Sequence, residues 1–204
     1  MRSVCRVLLL LPALMIAVVG RCPGVSVAYG EPRGGSRWVA GVDFGVWKPM
    51  KISTEGVLSP RKIPGTEPFL GAFAGVVVGR QARILASAGH WGRTGFAPAS
   101  QVRRLDVLLV SVGVASRLSD VTTLSPFVDY GVLAIHGREH FRSGETRAAS
   151  GVGAYVGAGL TVQVLPGVGV FGRIRYLYAK FPRRVAGLKD YSGPFLSAGV
   201  MTGL

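Results

Sequence analysis

His136, Glu139 and His140, with Ser143 and Glu145 close behind, form the densest grouping of nucleophile, base and acid in the chain. Serine, histidine and a carboxylate support acyl transfer when nucleophile and base lie within hydrogen-bond reach on packed strands. Here Arg138, Arg142 and Gly144 surround them, which reads as a solvated loop, so no catalytic residue is expected. His136 and His140 lack an evident third ligand, and no metal site is expected either. Gly167, Gly169 and Gly172 fit a G-x-G-x-x-G pattern. The pattern follows Pro166 at a turn and runs into Arg173-Ile174-Arg175-Tyr176, a strand where a nucleotide site needs a helix, so no cofactor is expected. His90 lies beside Trp91, where an interfacial aromatic-type role is expected. Four charged residues remain, set into otherwise apolar alternating segments: Asp43, Asp129, Arg173 and Arg175. Their chemistry is that of charges that must pair once they leave water.

The chain that positions them has 204 residues, room for one domain or perhaps two. Its hydrophobic content of 49% excludes a disordered chain. Glycine stands at 30 residues with 17% charged residues and no Gly-X-Y period, which excludes collagen and a flexible linker and places the glycines inside ordered structure. The net charge of +14 invites a nucleic-acid reading. The cations are dispersed, however, at Arg33 and Arg37, Lys48 and Lys51, Arg61 and Lys62, Arg103 and Arg104, Arg183 and Arg184, and Lys189, mostly at strand ends and in loops. Nucleic acid requires a continuous basic stripe, so no nucleic-acid partner is expected.

Arg2 and Arg6 precede an apolar run from Val7 to Val19, and Ser26-Val27-Ala28 is a small-x-small exit, the anatomy of a secretory signal peptide over residues 1–28. The run is interrupted by Pro12 and falls short of the ~20 residues needed to span a membrane as a helix. Removal of this segment takes both cysteines, Cys5 and Cys22, so the mature domain, 29–204, is expected to hold no disulfide.

No stretch of that domain keeps a 3.6-residue apolar period over three turns, while short alternating segments between Gly, Pro and Ser recur throughout, which predicts an all-β fold. From Ser150 to Val164, Val152, Ala154, Val156, Ala158, Leu160, Val162 and Val164 share one parity, and glycines with Tyr155, Thr161 and Gln163 the other. Val168 to Lys180 sets Val170, Ile174, Tyr176 and Tyr178 against Arg173 and Arg175. Trp38 to Val46 alternates against Asp43, and Leu124 to Ala134 against Ser125, Asp129 and Gly131. Four further segments, 69–79, 82–93, 103–116 and 194–204, are apolar on both parities, so their facing stays open.

The connections alternate in length. Those at 49–68, 94–102, 137–148 and 182–193 are long, and those at 80–81, 117–121 and 165–167 are short. Eight antiparallel strands with short turns at one rim and long loops at the other predict an up-and-down transmembrane β-barrel. Closure leaves no unpaired edge in lipid.

Ser125-Pro126-Phe127-Val128-Asp129-Tyr130-Gly131, Gly157-Ala158-Gly159-Leu160 with the Pro166-Gly167 turn and Gly172-Arg173-Ile174-Arg175-Tyr176, and Ser192-Gly193-Pro194-Phe195-Leu196-Ser197-Ala198-Gly199-Val200 carry a resemblance. The chain resembles the small eight-stranded outer-membrane β-barrel proteins of Gram-negative-type bacteria over essentially all of 29–204. It departs from them in ending Met201-Thr202-Gly203-Leu204 where they usually end in an aromatic residue. The resemblance implies an integral outer-membrane protein with a structural, surface-interaction or adhesion-type role, not an enzyme and without an open pore. Its partners would be outer-membrane lipids and an unidentified extracellular or envelope partner. Rim cations either pair with lipopolysaccharide phosphates or simply solvate the loops. Two alternatives stand beside it: a lipid-modifying outer-membrane enzyme, and a lipocalin-like periplasmic or secreted carrier, to which Gly45-Val46-Trp47 is similar.

Eight strands enclose a space just wide enough for side chains to fill. Parity turns Arg173 and Arg175 into it beside Gly151, Gly153, Gly157 and Gly159, and the same argument supplies Asp43 and Asp129 from the first and fifth strands. An ionic network of Asp43, Asp129, Arg173 and Arg175 plugging the lumen is therefore expected.

Overall fold

Period-two alternation buries every second side chain, and the computed structural model realises it in nine strands among the residues it describes. It describes residues 38–49, 67–79, 81–94, 101–118 and 124–203. The expectations for the signal peptide at 1–28 with Cys5 and Cys22, for Arg33, Arg37, Lys51, Arg61 and Lys62, and for most of the loops 49–68 and 94–102 lie outside those residues. The strands are β1 (Trp38–Trp47), β2 (Glu67–Val78), β3 (Ala82–Thr94), β4 (Val102–Arg117), β5 (Leu124–Phe141), β6 (Thr146–Leu165), β7 (Val168–Val185), β8 (Leu188–Asp190) and β9 (Gly193–Thr202). Strands β1 to β7 pair antiparallel in chain order, and β9 pairs with both β7 and β1. The result is a closed ring of eight staves, with β8 added only to the far end of β7.

The ring is strongly staggered. Following paired residues from Trp38 through Val76, Ile84, Val114, Tyr130, Val156, Tyr176 and Pro194 leads back to β1 at Lys48, ten residues further along, where the Lys48 N–H donates to the Pro194 carbonyl at 3.0 Å. With strands ~4.8 Å apart and a rise of ~3.3 Å per residue, that offset on eight strands tilts them by about 40°.

The outward face is apolar, with Val42, Phe44, Leu70, Val132, Val152, Val156, Ile174 and Leu196 all exposed. The inward face forms two packed layers. Val39, Phe73, Ala115, Phe127, Phe171 and Met201 fill the rim at which β1 begins and β9 ends. The opposite half is larger and holds Trp47, Trp91, Leu105, Ile135, Phe181 and Tyr191, with Trp47 and Trp91 edge to face at 5.3 Å.

Two of the expected long loops are shorter than their sequence suggests. The segment 137–148 is mostly strand: β5 runs to Phe141, β6 starts at Thr146, and only residues 142–145 turn. The inward parity of Ile135, Glu139 and Phe141 continues there, while the outward positions become His136, Arg138 and His140, which suits strands that rise beyond the lipid. The segment 182–193 likewise extends β7 and returns as β8 through Ala186 and Gly187, both with positive φ, as a two-residue hairpin turn requires. At the other rim Pro166-Gly167 closes β6 to β7 as a tight turn, with Gly167 at φ +74°; the expected short turns at 80–81 and 117–121 lie largely outside the described residues.

Candidate functional site

The barrel interior gathers Asp43 of β1, Asp129 of β5, and Arg173 and Arg175 of β7 into one buried cluster, each at most 7% exposed. Glycine makes the meeting possible. In the register Asp129 is opposite Gly157, and Gly157 is opposite Arg175, so acid and base are second neighbours across a strand without a side chain between them. A Cβ at Gly157 would stand 2.6 Å from both Asp129 Oδ1 and Arg175 Cγ, and one at Gly71 would stand 2.5 Å from Asp43 Oδ1.

Arg175 donates through Nε to Asp129 Oδ2 at 2.6 Å and through Nη2 to the same oxygen. Arg173 donates through Nη2 to Asp43 Oδ2 and through Nε to Ser197 Oγ at 3.0 Å, with its Nη1 3.9 Å from Asp129 Oδ2. Aromatic faces hold both guanidinium groups: Arg175 lies 4.4 Å from the Tyr155 ring centroid, and Arg173 lies 5.2 Å from that of Phe171 and 5.8 Å from that of Phe73. Two cations and two anions, donor-matched and stacked, can hold a dry cross-section closed, whereas any one of them alone would be a buried uncompensated charge.

A second polar point lies above it. Glu139, which faces inward, accepts the Ala186 N–H and so anchors the β7–β8 turn over the barrel mouth. Beside it the fully buried Tyr191 donates to the Val185 carbonyl at 2.6 Å. Burial raises the Tyr191 phenol above its ordinary range, and the nearby Glu139 charge raises it further.

His136, Glu139, His140, Ser143 and Glu145 do not converge on one point. Glu139 points inward, while His136 and His140 point outward from the same strand. His136 Nδ1 stands 2.9 Å from Ser150 Oγ on β6, but backbone amides there are committed to the sheet ladder and offer no oxyanion hole. His140 and His90 both reach Asp106, at 3.1 and 3.2 Å, with Arg104 at 2.8 Å. Ser143 is exposed in the turn, and Glu145 pairs with Arg147 at 2.7 Å, which lowers its carboxyl below the usual range. Trp91 is buried inside the barrel, so His90 alone of that pair faces outward. Gly169 and Gly172 lie within β7, and Trp47 is an interior core residue.

The sequence reading did not identify Arg83, Arg93 and Glu139 as inward charges. Their parity beside Leu85, Trp91 and Ile135 was available, but apolar residues on both sides of 82–93 masked it.

A closed ring of eight antiparallel staves, apolar outside and packed inside, defines a small transmembrane β-barrel of the outer-membrane type. Among solved structures the chain is similar to Neisserial surface protein A, with a TM-score of 0.63 at 16% identity over 84% of this chain and 99% of that one. It is similar also to the outer membrane protein OprG from Pseudomonas aeruginosa, with a TM-score of 0.61 at 10% identity over 82% and 95% of the two chains. The N-terminal β-barrel domain of Pseudomonas aeruginosa OprF gives 0.53 at 16% identity over 82% and 98%. No protein-family model matches the chain, and no curated protein matches it. The likeness is one of fold, a closed eight-stranded transmembrane β-barrel with an apolar outward face.

Proposed function

We propose that the protein is a plugged barrel with a structural, surface-interaction or adhesion-type role, neither a pore nor an enzyme, exported by residues 1–28. The observation that carries this reading is the buried Asp43–Arg173 and Asp129–Arg175 cluster, which occupies the barrel's middle between two packed apolar layers. The start of β1 and the end of β9 then lie at the periplasmic rim, and the β5–β6 and β7–β8 hairpins rise outside. Those hairpins present Arg138, Arg142, Arg183, Arg184 and Lys189 to solvent. Cations at this height suit lipopolysaccharide phosphates or an anionic partner surface. The test is ionic current through planar bilayers holding the reconstituted full chain. No steady conductance is expected, and a steady open level, abolished by blocking agents of pore size, would refute the plug.

A further inference from the structure

The barrel wall is interrupted above one junction. Pairing of β6 with β7 ends at Val152 and Lys180, whereas β6 begins six residues earlier, at Thr146, with β5 as the partner of that extension. Continued by the same register, the ladder would next bond Ser150 to Pro182, and proline has no N–H to give. Beyond Pro182 the chain turns in over the barrel mouth, where Val185 and Ala186 are buried and Glu139 accepts the Ala186 N–H. Residues 146–151 are thereby left as an edge strand, exposed at Thr146, Arg147, Ala148 and Ser150, just above the exposed apolar Val152.

Alternation decides which backbone groups of the edge are open. The Glu145 carbonyl accepts the Phe141 N–H, so odd-numbered residues turn their amides to β5, and Thr146, Ala148 and Ser150 turn theirs the other way. There the Ala148 carbonyl accepts from Arg183 Nη2, a side chain standing where a neighbouring strand would. Arg138, Arg183 and Arg184 flank the edge, all exposed, and the carboxylates near them are engaged: Glu139 by the Ala186 N–H, Glu145 by Arg147, and Asp190 by the Ser192 N–H. A second copy of the barrel does not fit this edge. Two copies in one membrane carry β6 in the same sense, and strands each tilted by about 40° meet across a twofold axis at about 80°, far from the ~20–25° of a sheet.

We propose that the β6 edge is a docking strand for an extended acidic peptide segment of an external protein. The segment adds beside Thr146, Ala148 and Ser150, and its carboxylates meet Arg138, Arg183 and Arg184. Arg183 yields the Ala148 carbonyl to an incoming backbone N–H and turns to a carboxylate. Main-chain bonds supply the affinity, and the guanidinium groups supply the preference for negative charge. Such docking rests on the surface-directed reading, which places these hairpins outside. Binding to the edge is read in detergent whichever rim faces out, and the plug is read by conductance, so the two fail separately.

The test uses the folded full-length mature barrel in non-ionic detergent at neutral pH. The probe is a fluorescent capped hexapeptide of alternating Glu and Thr, followed by anisotropy and, in parallel, by amide exchange of the barrel. Saturable binding of one peptide per barrel is expected, with exchange at the Ala148 amide slowed at least about tenfold at saturation. The fully N-methylated peptide, which keeps the charge and loses the backbone donors, should bind at least about tenfold more weakly, as should a Lys/Thr peptide. Ala148→Pro removes an edge N–H without touching the β5 ladder and should weaken binding at least about fivefold. If that variant fails to fold by heat-modified gel migration, Thr146→Pro decides, since it removes the next open amide. Absence of saturable binding, equal binding of the N-methylated or the Lys/Thr peptide, or unchanged affinity in the variant that folds would overturn the proposal.

Discussion

Asp129→Ala is the most informative perturbation of the barrel. Its Oδ2 accepts two hydrogen bonds from Arg175 and lies 3.9 Å from Arg173, while its Oδ1 accepts none among the described residues. Removing the carboxylate leaves Arg175, 7% exposed, with the Tyr155 ring as its remaining partner, and leaves Asp43 as the lone anion for two cations. Breaking a buried pair from one side costs about 3–5 kcal/mol, because the stranded charge keeps its desolvation penalty. Asp43→Ala is expected near the lower end, about 3 kcal/mol, since Arg173 retains Ser197 Oγ at 3.0 Å and Asp129 nearby. Asp129→Ala with Arg175→Met removes both charges and should be milder than Asp129→Ala by about 2 kcal/mol, a non-additivity that marks direct coupling. The assay is reversible urea unfolding in phospholipid vesicles, followed by tryptophan fluorescence and by migration of unheated against boiled samples. A loss below about 1 kcal/mol in Asp129→Ala, or a double variant that is the sum of the two singles, would refute the reasoning.

Single cysteines at Ser143 or Lys189 should react with an impermeant label on intact cells, and one at Gln81 should not; the reverse pattern would invert the topology. Val156→Arg and Ile174→Arg, on the exposed apolar face, should each cost about 2–4 kcal/mol in the same vesicles, whereas Arg at Ser143 should cost almost nothing. The raised Tyr191 phenol makes the folded state hold its proton longer than the unfolded chain. Its contribution is therefore fully present below the ordinary phenol range near pH ~10 and is lost as pH rises beyond it, so Tyr191→Phe should lessen the alkaline loss of stability. Glu139→Ala should cost about 1–3 kcal/mol and speed amide exchange at Ala186, whose N–H loses its acceptor.

Strands whose two faces differ in chemistry were readable from residues alone. On β6, valine and alanine opposed glycine and tyrosine, and on β7 isoleucine and tyrosine opposed arginine, so facing followed from parity. On β2, β3, β4 and β9 both faces are apolar, because lipid outside and packed rings inside ask for the same residues. Arg83 and Arg93 were hidden by that ambiguity. The outer parts of β5 and β7 read as loops because their outward positions turn polar above the lipid, where a strand no longer needs an apolar face. Glu139 was thereby grouped with His136 and His140, from which the pleat separates it. The packing of Trp47, Trp91 and Tyr191 depends on ring closure, which no local pattern encodes.

The cluster also spans the seam. Arg173 stands on β7, Ser197 on β9 and Asp43 on β1, so its bonds run across the junction between the first and last staves. Until that junction zips, Asp43 and Arg173 belong to opposite ends of an open sheet. The ion pair can form only in the final act of assembly, after most of the ladder exists. Contacts made after the transition state slow opening more than they speed closing. The clasp thus acts on residence time: a barrel lacking it would insert at nearly the usual rate and come apart sooner at the β1–β9 edge.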